Sequence, residues 1–197
     1  MTFDLGNALF YALIFTPLLA GMLGIFLKSA FRIHYSLVEL GLLLSGSVGL
    51  ALVGEQNLTA PLSFMNEPIT FSISMTGVYL YMGLLFSLAV LFLLDTKQDR
   101  EINLYVFLLI HFSLSAGFLA LMSGQFMIRY IALDLVGLIV ALSLLNSFRE
   151  TQSLKKFIVV FQILRLGDLF LLVSILLTNA FAQTYDITQM ISSAVEM

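Results

Sequence analysis

The 197-residue sequence contains no cysteine and no tryptophan, and only 11% of its residues are charged. Without cysteine, the chain forms no disulfide, and the sequence does not indicate whether its compartment is oxidising or reducing. Because 60% of the residues are hydrophobic and the mean hydropathy is +1.03, a chain of this length cannot bury its apolar surface in a soluble core. The high hydropathy and the low content of charged residues exclude a soluble enzyme and make the lipid bilayer the main solvent.

Apolar runs of about 20 residues recur along the chain, and each is about as long as a helix must be to cross the hydrocarbon core. Such runs are too long for the strands of a membrane β-barrel, whereas a helix satisfies its own backbone hydrogen bonds in lipid. The first run has no basic leader and is longer than a signal-peptide core, so we interpret it as a retained span. We therefore predict an all-α integral membrane protein with about six transmembrane helices, at residues 8–27, 34–54, 76–94, 104–122, 126–147 and 157–178.

The basic residues outside these spans all fall on one side of the predicted topology. There are seven on that side and none on the other: Lys28, Arg32, Lys97, Arg100, Arg149, Lys155 and Lys156. The positive-inside rule places this side in the cytoplasm and both termini outside. We therefore expect a multi-pass protein of the cell inner membrane, with an organelle membrane as the alternative.

Two segments outside the spans have patterns of their own. Between residues 56 and 75, Ile69, Phe71 and Ile73 alternate with polar residues after a turn signal at Asn66-Glu67-Pro68, which predicts an outer β-hairpin between spans two and three. From residue 184, apolar residues recur at helical spacing, which predicts an amphipathic helix on the outer surface, with a frayed end as the alternative. The predicted organisation is a six-span domain over residues 1–183 and a tail over residues 184–197.

Small residues also recur on the second span. Gly41, Ser45 and Gly49 are spaced by four, so they share one helix face, and this pattern predicts close packing against a neighbouring helix.

Ionisable side chains inside the spans are costly where they face lipid, so they are the candidates for function. They are Glu39, His111, Arg129, Asp134, Arg165 and Asp168. We interpret Arg129, about one turn inside the outer end of its span, as an anchor that reaches the headgroups rather than as part of a pathway. Glu39 lies near an inner helix end beside His34, where a functional role and simple solvation by surface water are both open.

Asp134 is the deepest of these residues, at about 16 Å from the inner end of its span by helical rise. Arg165 and Asp168 are three residues apart at a similar depth, so they can pair, either for function or as a purely structural salt bridge. His111, about 10 Å from the inner surface, could carry protons or donate a hydrogen bond in helix packing. Because burial disfavours a charged acid and a nearby cation favours it, the combination suits a proton relay. We predict an ion pathway formed by Asp134, Arg165, Asp168, His111 and Glu39.

No metal, nucleotide or nucleophile motif accompanies these residues, so we expect neither a cofactor nor a metal ion.

Two motifs resemble a known family, the antiporter-like subunits of respiratory complex I. The stretch from Gly124-Gln125 to Leu145, with Leu133-Asp134-Leu135-Val136-Gly137-Leu138, resembles the fifth span of that family. The segment Arg165-Leu166-Gly167-Asp168-Leu169-Phe170 resembles its sixth-span Arg-x-Gly-Asp motif. The sequence is most similar to the L-type subunit, which has relatives in Mrp sodium/proton antiporters and inorganic-carbon uptake systems. The resemblance covers residues 60–195 and extends weakly to Phe15-Thr16-Pro17-Leu18-Leu19-Ala20-Gly21.

The resemblance implies a role for each motif residue. Asp134 takes the position of the family's key glutamate, and Arg165 and Asp168 match the pair through which charge on one unit is felt by its neighbour. Aspartate replaces glutamate here, and Leu133 replaces the usual tryptophan. The family's partner lysine lies in the seventh span, whereas no lysine lies inside any predicted span of this sequence. We therefore expect partner membrane subunits, either a chain that supplies the remaining spans or a full-length antiporter-like subunit.

The expected function is that of a half-length, non-catalytic antiporter-like subunit of a multisubunit membrane complex. It would couple proton or sodium translocation to redox chemistry, as in NADH:quinone oxidoreductase, to antiport or to inorganic-carbon uptake, with Asp134 as proton acceptor. The alternative is a non-conducting structural subunit packed against a full-length antiporter-like subunit.

Overall fold

The structure is a computed structural model that describes residues 5–64, 67–96, 104–147 and 151–195. Within these ranges the chain forms seven α-helices, a 3₁₀ turn and a two-stranded sheet. In chain order they are α1 (Leu5–Leu23), the 3₁₀ turn (Gly24–Phe26), α2 (Ser29–Val53), β1 (Gln56–Phe64), β2 (Glu67–Ile73), α3 (Met75–Thr96), α4 (Leu104–Met122), α5 (Phe126–Ser147), α6 (Thr151–Ala182) and α7 (Ile187–Val195).

The predicted helical membrane fold is confirmed. Among the described residues, five segments are long and apolar enough to cross a membrane: Leu5–Phe26, Phe31–Val53, Met75–Leu94, Leu104–Met122 and Phe157–Ala182. The remaining predicted span coincides with α5, a helix of 22 residues and so about 33 Å long at the helical rise. Its passage through the membrane stays a prediction, since the side chains of residues 143–147 at the end of α5 are not described.

The ends of the first two helices follow from local chemistry. The 3₁₀ turn Gly24–Phe26 closes α1, and the guanidinium of Arg32 donates hydrogen bonds to the carbonyls of Gly24 (3.4 Å) and Leu27 (3.1 Å). The Gly24 carbonyl also accepts from the amide of Leu27 at 3.2 Å, so Arg32 adds a second donor to the cap of this helix end. Gly54 ends α2 with φ +95°, a conformation that glycine adopts without a steric penalty.

The predicted hairpin is present as paired strands β1 and β2. Phe71 and Ile73, 8% and 1% exposed, are the buried members of the alternating pattern in β2. The predicted turn residue Asn66 lies outside the described residues.

Most of the basic residues that predict the membrane orientation are also not described. Lys97, Arg100 and Arg149 lie outside the described residues, and the side chains of Lys155 and Lys156 are not described. The orientation of the chain therefore stays a prediction.

The chain divides into two compact units, and each is described by itself. Unit 1 comprises Met1–Gln56 and Ile73–Leu121, and unit 2 comprises Asn57–Ser72 and Met122–Met197. The predicted division into a six-span domain and a tail stays a prediction.

Aromatic and leucine side chains from four helices form the interior of unit 1. The Phe118 ring of α4 lies 5.5 Å from the Phe10 ring of α1 and 4.8 Å from the Tyr81 ring of α3, measured between centroids. Leu40 of α2 is 2% exposed. Glycines allow α1 and α2 to approach closely, since a Cβ at Gly46 or Gly49 would lie 3.2 Å from side-chain atoms of Leu13 or Leu9.

The predicted close-packing face of the second span is therefore only partly correct. Nothing lies within 4 Å of a Cβ placed at Gly41, and Ser45 is exposed with its hydroxyl bonded to the carbonyl of Leu42. The spacing of small residues suggested a common face, whereas the packed face of α2 is set by which glycines meet the leucines of α1.

In unit 2, backbone hydrogen bonds join the hairpin, the start of α5 and the start of α7. The Gly124 amide donates to the carbonyl of Thr70 (3.0 Å), and the Gly124 carbonyl accepts from the amide of Ile187 (2.9 Å). The side-chain amide of Gln125 donates to the carbonyl of Pro68 (2.8 Å). A Cβ at Gly124 would lie 2.8 Å from the Thr70 hydroxyl, so only glycine permits this close approach.

Candidate functional site

In unit 1, α2 and α4 bring Glu39 and His111 into direct contact. The Nε2 atom of His111 lies 2.6 Å from Oε2 of Glu39, and their side chains are 2% and 4% exposed. Both residues were predicted as pathway members, but their pairing was not predicted. The alternative in which surface water solvates Glu39 is wrong, because the carboxyl is enclosed by protein. His34, its sequence neighbour at the helix end, is exposed.

The other nitrogen of the imidazole is held by the backbone. Nδ1 of His111 lies 2.6 Å from the carbonyl oxygen of Phe107, one turn earlier on α4. The Phe107 ring stacks on the imidazole with 4.0 Å between centroids and a tilt of 34°. The ring of His111 is thereby fixed on both edges and on one face.

Glycines make room for this arrangement at the end of α1. A Cβ at Gly21 would lie 3.1 Å from Cβ of His111, and a Cβ at Gly24 would overlap the ring of Phe107. Neither glycine was predicted to have this role. A glycine that packs against an aromatic ring has no local signature in a sequence. These contacts can therefore be found only from the structure.

Unit 1 also buries two hydroxyl groups that the sequence did not indicate as candidates. Ser36 is 1% exposed and lies three residues before Glu39 on α2, while Tyr81 of α3 is fully buried against the Phe118 ring of α4. Among the described residues, the Ser36 hydroxyl, the Tyr81 hydroxyl and Oε1 of Glu39 have no hydrogen-bond partner. Helical spacing from Glu39 could have indicated Ser36. No sequence signal indicates Tyr81, because the register of α3 against α2 is a tertiary property.

In unit 2, α5 and α6 bring the other three predicted pathway residues together. Arg165 donates a hydrogen bond to Oδ1 of Asp134, 31 positions away in the sequence, and its Nη1 atom also lies 3.5 Å from Oδ2 of Asp168. The guanidinium carbon of Arg165 lies 5.0 Å from the ring centroid of Phe161, one turn earlier on α6, within the range of a cation–π contact. The spacing of Arg165 and Asp168 predicted their pairing, but Asp134 is the closer partner.

This cluster is less enclosed than the Glu39–His111 pair. The side chains of Arg165, Asp134 and Asp168 are 33%, 29% and 27% exposed. Only 6% of an apolar 18-residue window in the Phe157–Ala182 span is buried, against 28–39% for the corresponding windows of the other four spans. Arg165 and Asp168 therefore lie on a helix whose surface is largely open to lipid or to another protein, and Arg165 joins that helix to Asp134 of α5.

Arg129 occupies a different position near the start of α5. Its Nη2 atom donates to the carbonyl of Ser123 at 2.9 Å, in the turn that precedes the helix. This bond ties Arg129 to the turn before α5, and its interpretation as an anchor that reaches the headgroups stays a prediction.

The five predicted pathway residues thus form two clusters, one in each unit. The part of the chain that the structure describes contains no group of three or more metal-binding side chains. What the two clusters share is a carboxylate paired with a nitrogen-containing side chain within apolar helices. The carboxylates and the imidazole can bind and release a proton, whereas the guanidinium of Arg165 stays charged.

Long apolar helices, a short hairpin and paired charges inside the spans define a multi-pass membrane protein. No protein-family model matches the sequence, and none of the curated proteins does. Among solved structures, the fold is similar to that of a chain in the membrane-bound sulfane sulfur reductase, an archaeal respiratory membrane complex, with a TM-score of 0.71 at 16% sequence identity. The match covers 91% of this chain and 29% of that chain, so this chain spans less than a third of the other's length. At this identity the likeness shows a shared fold.

Proposed function

We propose that the chain is a half-length antiporter-like subunit of a multisubunit membrane complex. The complex couples translocation of protons or sodium ions to redox chemistry, antiport or inorganic-carbon uptake, in the cytoplasmic membrane. The fold likeness to a chain of a respiratory membrane complex supports the assignment to such a complex. The resemblance of the segments around Asp134 and Arg165 to the antiporter-like family supports the ion-translocating role.

The observation that carries the proposal is the charge balance of the cluster in unit 2. Asp134 and Asp168 supply two carboxylates, and Arg165 is the one guanidinium that contacts them among the described residues. One negative charge therefore stays uncompensated until a proton or another cation arrives. Since an unbalanced charge within the hydrocarbon region is expensive, the cluster has a reason to bind a cation reversibly.

In this proposal each residue has a separate role. Asp134 accepts the proton, whereas Arg165 and Asp168 adjust its affinity through the contacts described above. Glu39 and His111 form a second proton-binding pair in unit 1. A relay needs such groups because protons do not cross apolar protein without sites that bind them.

The exposure of α6 supports a partner subunit. Arg165 and Asp168 lie on α6, where only 6% of an apolar 18-residue window is buried, and lipid chains offer no hydrogen bonds to carboxylates or to a guanidinium. We propose that another membrane subunit covers this surface, either a chain with the remaining spans of the longer architecture or a full-length antiporter-like subunit. A partner that presents a lysine or arginine there would neutralise the second carboxylate.

One observation favours the alternative of a non-conducting structural subunit. Arg165 already bonds to Asp134 within the chain, so the proposed acceptor carries a permanent counter-charge. A salt bridge between α5 and α6 would serve a purely structural role as well, because it fixes the two helices against each other. Under this alternative the chain stabilises a complete antiporter-like subunit and carries no ions itself.

The decisive experiment replaces Asp134 with asparagine in the intact complex, purified and reconstituted into proteoliposomes. Asparagine keeps the shape of the side chain and one acceptor oxygen for Arg165, but it carries no charge and cannot take up a proton. We expect D134N to lower ion transport at least tenfold while the complex still assembles in normal amounts. D186N is the matched control, since Asp186 precedes α7 outside the cluster.

Normal transport in D134N at normal complex levels would refute the translocating role and support the structural alternative. Mass spectrometry of the purified complex tests the partner proposal in parallel. A companion chain with only the remaining spans indicates a split transporter, and a companion that is already complete indicates a scaffold.

A further inference from the structure

We infer that unit 1 contains a hydrated proton-binding site between α2, α3 and α4. In this site Glu39 and His111 hold one proton between them, and internal water joins the free oxygen of Glu39 to the hydroxyls of Ser36 and Tyr81. The inference goes beyond the proposed function, because it concerns the proton count and the ligand of this site and holds whether or not the complex moves ions.

The proton count follows from the two bonds of the imidazole. The carbonyl of Phe107 has no hydrogen to donate, so Nδ1 of His111 at 2.6 Å must carry one. At 2.6 Å, Nε2 and Oε2 of Glu39 are too close to be two bare acceptors, so one proton lies between them. Either an imidazolium faces a carboxylate or a neutral imidazole faces a carboxylic acid. The pair is electrically neutral in both forms, which suits its burial.

The water follows from polar atoms that the protein leaves without partners. In the described part of the chain, Oε1 of Glu39, the Ser36 hydroxyl and the Tyr81 hydroxyl are buried and make no hydrogen bond. Buried polar groups almost always have a partner, and internal water supplies it where several such groups converge. Oε1 of Glu39 can only accept while the carboxylate is ionised, whereas a hydroxyl and water can each donate. Water can therefore link the three groups, because it can donate to Oε1 of Glu39 and can accept from or donate to each hydroxyl.

Their positions bring the three groups to one region. Ser36 and Glu39 are three residues apart on α2 and so lie on the same helix face, about one turn from each other. Tyr81 is a buried residue of α3, which packs against α2, and its ring lies 4.8 Å from the Phe118 ring of α4, the helix that carries His111. Exposures of 1%, 4% and 0% for Ser36, Glu39 and Tyr81 separate the site from bulk solvent, so the water there is internal.

The proton count is testable by solid-state NMR of the full chain in lipid nanodiscs, labelled with ¹⁵N-histidine. The chain has only two histidines, so H34Q, which changes an exposed side chain, leaves His111 as the single signal. Infrared spectra give the second half of the count, since a carboxylic acid band that E39Q removes belongs to Glu39. We expect a protonated Nδ1 and one further proton, either on Nε2 or on Glu39.

Three results would overturn the inference. They are an unprotonated Nδ1, a singly protonated ring beside an ionised Glu39, and a doubly protonated ring beside a carboxylic acid. Because these states are read from wild-type spectra or from the H34Q background, the test does not depend on the stability of E39Q alone.

The water is testable by infrared spectroscopy after exchange into H₂¹⁸O. We expect an isotope-sensitive O–H band of internal water that is lost or shifted in Y81F and S36A. The matched controls are Y79F, on the exposed side of the same helix, and S47A, whose buried hydroxyl already donates to the carbonyl of Leu43. Equal spectra for Y81F and Y79F, or for S36A and S47A, would show that no water bridges these groups.

Discussion

Nε2 of His111 lies 2.6 Å from Oε2 of Glu39, although the two residues are 72 positions apart in the sequence. The contact joins α4 to α2 in the interior of unit 1, where neither side chain reaches solvent. Removing one partner from such a pair leaves a polar group buried without compensation, whereas removing both leaves an apolar contact.

The first prediction concerns the energy of this contact. E39M and H111F should each destabilise the chain by about 3–5 kcal/mol, because each leaves the other residue unpaired. The double variant E39M/H111F should lose clearly less than the sum of the two, since the remaining side chains are both apolar. Equilibrium unfolding in mixed detergent micelles measures all four members of the cycle. Additive losses would mean that the two residues do not stabilise the fold as a pair.

The second prediction concerns the glycine opposite Phe107. A Cβ at Gly24 would overlap the Phe107 ring, whose residue also supplies the carbonyl that accepts from His111. We expect G24A to cost about 1–3 kcal/mol through overpacking. G41A is the matched control, since nothing lies within 4 Å of its Cβ position and alanine favours a helix by up to about 1 kcal/mol over glycine.

Thermal unfolding of the two variants in the same detergent measures the difference. G24A should unfold at a lower temperature than the wild type, and G41A at the same or a higher temperature. If the two substitutions have equal effects, the ring of Phe107 moves aside without cost and does not fix the imidazole.

The fold could be predicted largely because its main determinants are local. Length and hydropathy define each span, and alternation in residues 69–73 defines β2. In these elements one physical term, the transfer of apolar side chains out of water, determines the outcome. Hydropathy also identified all five charged or titratable residues of the two clusters. Placing any of these side chains in lipid costs free energy, whichever way its helix is rotated.

The pairing of those residues could be predicted only in part. Arg165 and Asp168 share one helix, so their spacing alone indicates a contact. Glu39 and His111 lie on helices whose relative rotation depends on the leucines, glycines and aromatic rings between them. A sequence position near a helix end suggested solvation of Glu39, but packing against α4 encloses it. Gly41 illustrates the same limit of prediction from sequence. The regular spacing of small residues on α2 does not reveal which face of that helix a neighbouring helix covers.

The third prediction concerns the start of α7. Oδ1 of Asp186 accepts a hydrogen bond from the amide of Gln189 at 3.1 Å, which is the geometry of a helix N-cap. D186A should destabilise α7 by about 0.5–2 kcal/mol, whereas D186N should have little effect because asparagine caps equally well. Hydrogen exchange of the α7 amides measures this local stability. Equal exchange rates in D186A and D186N would show that the cap does not hold the helix.

The last prediction concerns the cluster of Asp134, Arg165 and Asp168. Arg165 bonds directly to Asp134 but reaches Asp168 only at 3.5 Å, so the two carboxylates contribute unequally to the contact between α5 and α6. We expect D134N to lower the thermal stability of the full chain more than D168N does. R165M should be the most damaging, because it leaves two carboxylates without a cation.

The double variant D134N/R165M separates charge from shape. It leaves Asp168 as the only carboxylate of the cluster, so it should recover part of the folded yield that R165M loses. Folded yield in nanodiscs and melting temperature are the two measurements, and D134L/R165M serves as a control without the amide. If R165M is as stable as the wild type, or if D168N is more damaging than D134N, the link between α5 and α6 does not depend on this ion pair. The remaining interpretation would then be that Arg165 is held for a partner subunit rather than for Asp134.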